Sequence, residues 1–136
     1  FPSSLCFGTP GCQGFDVGDT YGSATTGEIT LPSDRLPRLL FEIATEIDGG
    51  GGTYPGNHKD WFFVEIISNG ATRVFQKTDM GSEANTGLKW LAFEQSLEDY
   101  KGQTIQLKFG FDSGDGVSNE GAGVFVDDIR ITLDCP

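Results

Sequence analysis

From Thr104 to Phe111 the chain alternates without a break. Ile105, Leu107, Phe109 and Phe111 fall on one side, and Thr104, Gln106 and Lys108 on the other. A period of two gathers the apolar set on one face of a β-strand. Arg38 to Ile47 follows the same rule, with Leu39, Phe41, Ile43 and Ile47 against Glu42, Ala44 and Glu46. Asp60 to Ser68 sets Phe62, Val64 and Ile66 inward and Glu65 outward. Strands that are apolar on one face only must be stacked in layers, so this patterning restricts the chain to sheet architectures.

The remaining elements fit that restriction. Asn69-Gly70 separates the 60–68 segment from Thr72–Lys77. Both positions of a tight hairpin turn need positive φ, which Asn and Gly tolerate best. Gly27–Leu31 reads as a short strand ended by Pro32, and Leu88–Gln95 and Gly123–Leu133 as two more. Leu97 to Gly102 has room for one helical turn. Residues 1–25, rich in Gly, Ser, Thr and Pro, are expected to form loops or an irregular edge, and Asp48 opens a flexible glycine-rich loop. Eleven phenylalanines supply the core, while twenty glycines and few strong helix formers argue against a helical protein. The 136 residues fit one domain. The predicted fold is all-β, a two-sheet antiparallel jelly-roll sandwich over 1–136, its first and last strands centrally paired. An immunoglobulin sandwich is disfavoured because its Cys…Trp…Cys pattern is missing.

Net charge is −11, from twenty acids against nine bases. Nucleic acid and anionic lipid both require clustered Lys or Arg, so neither is an expected partner. No apolar run approaches a membrane span. The first residues lack the regions of a signal peptide, so the sequence reads as a mature or excised domain. Three cysteines allow three pairings. Cys6 and Cys12 bracket Phe-Gly-Thr-Pro-Gly, a turn suited to a small disulfide, and Cys12–Cys135 is the next choice. Such a bond fits an extracellular setting.

Asp112, Asp115, Glu120, Asp127 and Asp128 fall within seventeen residues, with no base before Arg130. Oxygen donors without nitrogen or sulfur point to a hard cation, calcium first. The spacing is not an EF-hand, so the ligands must come from separate segments. The expected set is Asp127 at the centre, joined by Asp60 and by one or more of Glu46, Asp112 and Asp128. The alternative is a β-bulge whose carboxylates cap backbone amides or pair with Arg130, Arg35 or Arg38.

No catalytic residues are expected. A serine triad needs an oriented histidine, and His58, in a glycine-rich loop, is the single one. Among aromatics that stack on sugar rings, Tyr54 in the Gly49–Gly56 loop is the best placed. Trp61 and Trp90 are the next candidates, and Tyr21 and Tyr100 complete the set.

Val124-Phe-Val-Asp-Asp-Ile-Arg-Ile131, followed by Cys135-Pro136, resembles the closing strand of MAM domains and of MAM-like jelly rolls in bacterial secreted and surface proteins. Asp60–Gly70, Leu88–Glu94 and Gly102–Phe111 are similar to the family's other strands, in the same order, and the likeness covers residues 26–136. It implies a jelly roll for adhesion, glycan binding or an accessory role beside a secreted enzyme, with a structural cation near the Asp-Asp strand. Eukaryotic members normally have four cysteines, so the cysteine loop here favours the bacterial branch. The expected function is therefore a non-catalytic, calcium-stabilised module, secreted or on the cell surface, probing glycans or a cell-surface protein as part of a larger secreted protein. The alternatives are a small secreted carbohydrate-active enzyme and a protease accessory domain with no ligand of its own.

Overall fold

The computed structural model describes residues 5–7, 21–47, 60–77, 79–80, 86–113 and 122–136. Among the described residues nine strands follow one another: β1 (Leu5–Phe7), β2 (Tyr21–Thr25), β3 (Ile29–Thr30), β4 (Leu36–Glu46), β5 (Trp61–Ile67), β6 (Ala71–Gln76), β7 (Leu91–Ser96), β8 (Thr104–Asp112) and β9 (Gly123–Asp134). A 3₁₀ turn, Glu98–Tyr100, occupies the expected place before β8.

The strands form two antiparallel sheets. Sheet A has the order β1-β9-β4-β7, and sheet B the order β2-β8-β5-β6, with β3 also paired to β8. The topology is that of one long hairpin rolled up. β5 pairs β6, β4 pairs β7, β2 pairs β8 and β1 pairs β9, each pair nested around the one before. Rolling adds the β4–β9 and β5–β8 ladders and distributes the nested pairs over the two sheets. This is the jelly roll that the patterning predicts. β9 is central as expected, whereas β1 lies on an edge. Strands β1 and β2 arise within the segment expected to be irregular, and both are edge strands.

Alternation builds the core between the sheets. Leu39, Phe41 and Ile43 of β4 meet Phe62, Val64 and Ile66 of β5 and Ile105, Leu107, Phe109 and Phe111 of β8. Phe41 sits among three rings. Phe75 and Phe109, on sheet B, approach it edge-on at 5.2 and 5.9 Å, and Phe93, from sheet A, stacks at 6.0 Å. Phe75 in turn lies 5.0 Å from Phe93, so aromatic contacts cross the interior in both directions. Burying a side chain of this size stabilises the fold by about 1.5–3 kcal/mol.

Two turns carry positive φ at consecutive residues. Asn69 (52°) and Gly70 (124°) close the β5–β6 hairpin as expected. Gly87 (61°) and Leu88 (64°) form a second such turn, which delays the next strand from Leu88 to Leu91. Thr45 and Thr86 lock that turn to β4: each backbone N–H donates to the other's hydroxyl, at 2.9 and 3.0 Å.

Candidate functional site

The Asp127-Asp128 pair is a β-bulge. Leu40 faces Arg130 and Glu42 faces Asp127, so Phe41 alone stands opposite both Asp128 and Ile129. Asp128 is the extra residue and adopts φ +50°, a conformation that Asp accepts more readily than most side chains. The Asp127 carboxylate accepts the Asp128 backbone N–H at 2.7 Å, and Arg130 Nη1 donates to Asp128 Oδ2. The bulge reverses the phase of the strand. Val124 and Val126 point into the core before it, and Ile129 and Ile131 pack against the core after it. Unbroken alternation would have turned the isoleucines outward.

The predicted cation ligands do not gather around this bulge. Asp60 precedes β5 and Asp112 ends β8, both at the end of the sandwich where 48–59 and 114–121 connect the sheets. Glu46 closes β4 at the same end and accepts the Ala122 N–H at 2.9 Å. Asp127 lies four residues into β9, roughly 13 Å along the strand from its start. Alternation further separates the set: Asp60 is turned inward with Phe62, whereas Asp112 lies on the outer face of sheet B with Trp61. Among the described residues no three His, Cys, Asp or Glu side chains are grouped to hold one ion. Glu42, which sequence reasoning treated only as an outward residue, stands directly opposite Asp127. Its partner was hidden by the bulge, which shifts the β4–β9 register.

Burial marks the connecting end as special. The buried polar residues described are Thr45, Asp60, Lys77 and Ser113, and all of them lie there. Asp60 is 1% exposed and Lys77 3%. Lys77 Nζ donates to the Asp60 backbone carbonyl at 2.7 Å, bringing an internal ammonium beside a residue that carries a carboxylate. Buried charges persist only where partners replace water. Sequence reading missed Lys77 because it follows a strand that otherwise alternates normally.

The aromatic candidates separate. Trp61 lies on sheet B and is buried, while Trp90 is half-buried just before β7 of sheet A. They form no common platform. Among the described residues the exposed ring is Tyr21 on β2, stacked with Phe63 at 6.5 Å. Cys135 is exposed and free, with Arg35 Nη1 3.4 Å from its Sγ, which removes the Cys12–Cys135 alternative. Tyr54, Cys12, His58, Asp115 and Glu120 lie outside the described residues.

The fold and these features define a jelly-roll β-sandwich whose buried polar residues, among those described, are collected at one end. No protein-family model matches the sequence. Two curated relatives are similar to it, the Pre-pro-metalloprotease PrtV of Vibrio cholerae serotype O1 strain M66-2 and that of strain ATCC 39315 / El Tor Inaba N16961. Each is 24% identical over 126 residues, covering 86% of this chain and 12% of the relative. The chain thus spans about an eighth of the length of the curated relatives it matches. No helix among the described residues is long and apolar enough to cross a membrane.

Proposed function

We propose that this chain is a non-catalytic accessory module of a larger secreted or surface protein, of the MAM-like jelly-roll kind, with a binding role toward glycans or a cell-surface partner. The observation that carries this reading is the extent of the similarity. Most of this chain matches a small part of a pre-pro-metalloprotease, as a transferable module would. A PrtV-like protease is one context for it, and extracellular location follows from that context. The Cys6–Cys12 disulfide belongs to the same reading. Cys6 is half-buried in β1, and an oxidising compartment would keep such a bond closed.

Calcium is part of the proposal at Asp60. A carboxylate this buried, at the end of the sandwich where β4 and β8 finish and β9 begins, is a place where a hard cation would join segments distant in sequence. The Lys77 ammonium stands at the same end, donating to the Asp60 carbonyl, so a cation bound at Asp60 has to compete with that internal charge.

The test uses the purified chain in two parallel assays. One measures turnover of casein and of soluble polysaccharides, and the other measures retention on intact cells and on immobilised glycans. Retention without turnover is the expected result. Product release that scales with protein concentration would replace this reading with the enzyme alternative.

A further inference from the structure

The outer face of sheet B differs in chemistry from the rest of the molecule. Register places its outward residues in three rungs. Tyr21, Asp112 and Trp61 make the first, and Ser23, Gly110, Phe63 and Gln76 the second. The third holds Thr25, Lys108, Glu65 and Arg73. Phe63 lies across Gly110, the one position on the face where the absence of a Cβ leaves room for its ring. Arg73 covers Phe63, its guanidinium carbon 4.1 Å from the ring centroid, and is itself held by Glu65 at 3.5 Å. Phe63 and Trp61 are therefore floor rather than contact surface. Tyr21 rests against that floor with 55% of its surface exposed, and the Lys108 ammonium stands 6.0 Å from its ring. Ser23 and Thr25 continue the exposed row along β2.

We propose that this face is a docking site for an uncharged glycan, with a sugar ring stacked on Tyr21. The proposal rests on the reading of the chain as a binding module and names the ligand class and the surface. Charge decides the class. The chain carries twenty acids against nine bases, whereas these rungs hold two of each, Glu65 and Asp112 with Arg73 and Lys108. A balanced face set in an acidic molecule repels anionic polymers beyond it and offers no excess charge to cationic ones. Hydroxyl-rich ligands suit it, because each hydroxyl both donates and accepts hydrogen bonds. The rim supplies both kinds of partner: Lys108, Arg73 and Gln76 donate, while Asp112 and the hydroxyls of Ser23 and Thr25 accept. A rigid exposed ring contributes contact area at little conformational cost. Phe63 beneath it fixes its position.

The experiment is affinity electrophoresis of the full chain through gels containing soluble glucan, mannan, galactan or xylan, with alginate as the anionic arm. Retardation by at least one neutral polymer is expected. Tyr21→Ala should weaken it at least tenfold, Tyr21→Trp should preserve it, and Lys108→Ala should weaken it less. Leu88→Ala, on an exposed residue beside the other sheet, should leave it unchanged. Thermal melts confirm that each variant is folded. Retardation that Tyr21→Ala does not alter would place the glycan elsewhere and overturn this site while sparing the module reading. Retardation by alginate alone would overturn the ligand class. No retardation in any gel would overturn the proposal, and retention on cells would then decide the module reading separately.

Discussion

The ring of Phe63 occupies the space that a side chain on Gly110 would need. Its Cε1 lies 2.7 Å from where a Cβ would stand, and two other ring carbons are closer still. Gly110→Ala must push Phe63 away from both Tyr21 and Arg73, at a cost of about 1–3 kcal/mol. That corresponds to a melting temperature lower by about 4 °C for each kcal/mol. Phe63→Leu frees the space, so the double variant should lose less than the sum of the single ones. Additive losses would show that the two residues do not interact.

At the β9 bulge, the backbone conformation matters more than the carboxylate. Asp128→Gly or Asp128→Asn should change stability by no more than about 0.5 kcal/mol, since both accept φ +50° and the Arg130 pair is half exposed. Asp128→Val should cost about 1–2 kcal/mol. Deleting residue 128 should be far worse, because Ile129 and Ile131 would then turn from the core to solvent. Urea titrations of the four variants provide the ranking.

Lys77 and Asp60 are predicted to be coupled. Lys77→Met leaves a buried carboxylate without that ammonium and should destabilise by about 3 kcal/mol or more. Adding Asp60→Asn should restore part of the loss. If calcium also occupies this end, EDTA should lower the melting temperature of the native chain, and Asp60→Asn should abolish the EDTA effect. An identical melt with and without chelator would exclude the metal.

Thiol accessibility tests the cysteine assignment. Iodoacetamide should modify one cysteine per native chain, Cys135, because it is exposed and free. After reduction and unfolding, three should react. Modification of two or three in the native state would exclude the Cys6–Cys12 bond.

The strands with one buried face were legible in the sequence, because alternation in β4 and β8 is written directly in the residues; β5 is apolar on both faces through Trp61–Val64, and Trp61 and Phe63 are buried on its outer side. Asn69-Gly70 was equally readable, since its side chains report the φ angles they must adopt. The edge strands β1 and β2 were not. Tyr21–Thr25 contains Gly, Ser, Ala and Thr, and it becomes a strand only because β8 offers it a ladder. The Asp-Asp pair was recognised as exceptional, and its two explanations were both visible, but only register separates them. A residue in the left-handed region leaves no distinctive trace when it is an aspartate. The clustering of Thr45, Asp60, Lys77 and Ser113 at one end was invisible for a different reason: it depends on which strand ends the jelly roll brings together.

Nested pairing sets the order in which the molecule can assemble. Within it, β5–β6 alone is closed by a tight local turn, and every later pair spans a longer loop, up to the union of Leu5 with Val126. Closing such loops costs entropy before contacts can compensate, so folding should nucleate at Asn69-Gly70 and zip outward on a millisecond-to-second timescale. The edge facing the solvent beside β9 would then be the last to be covered. A nascent chain would meanwhile expose a long apolar ribbon to its neighbours.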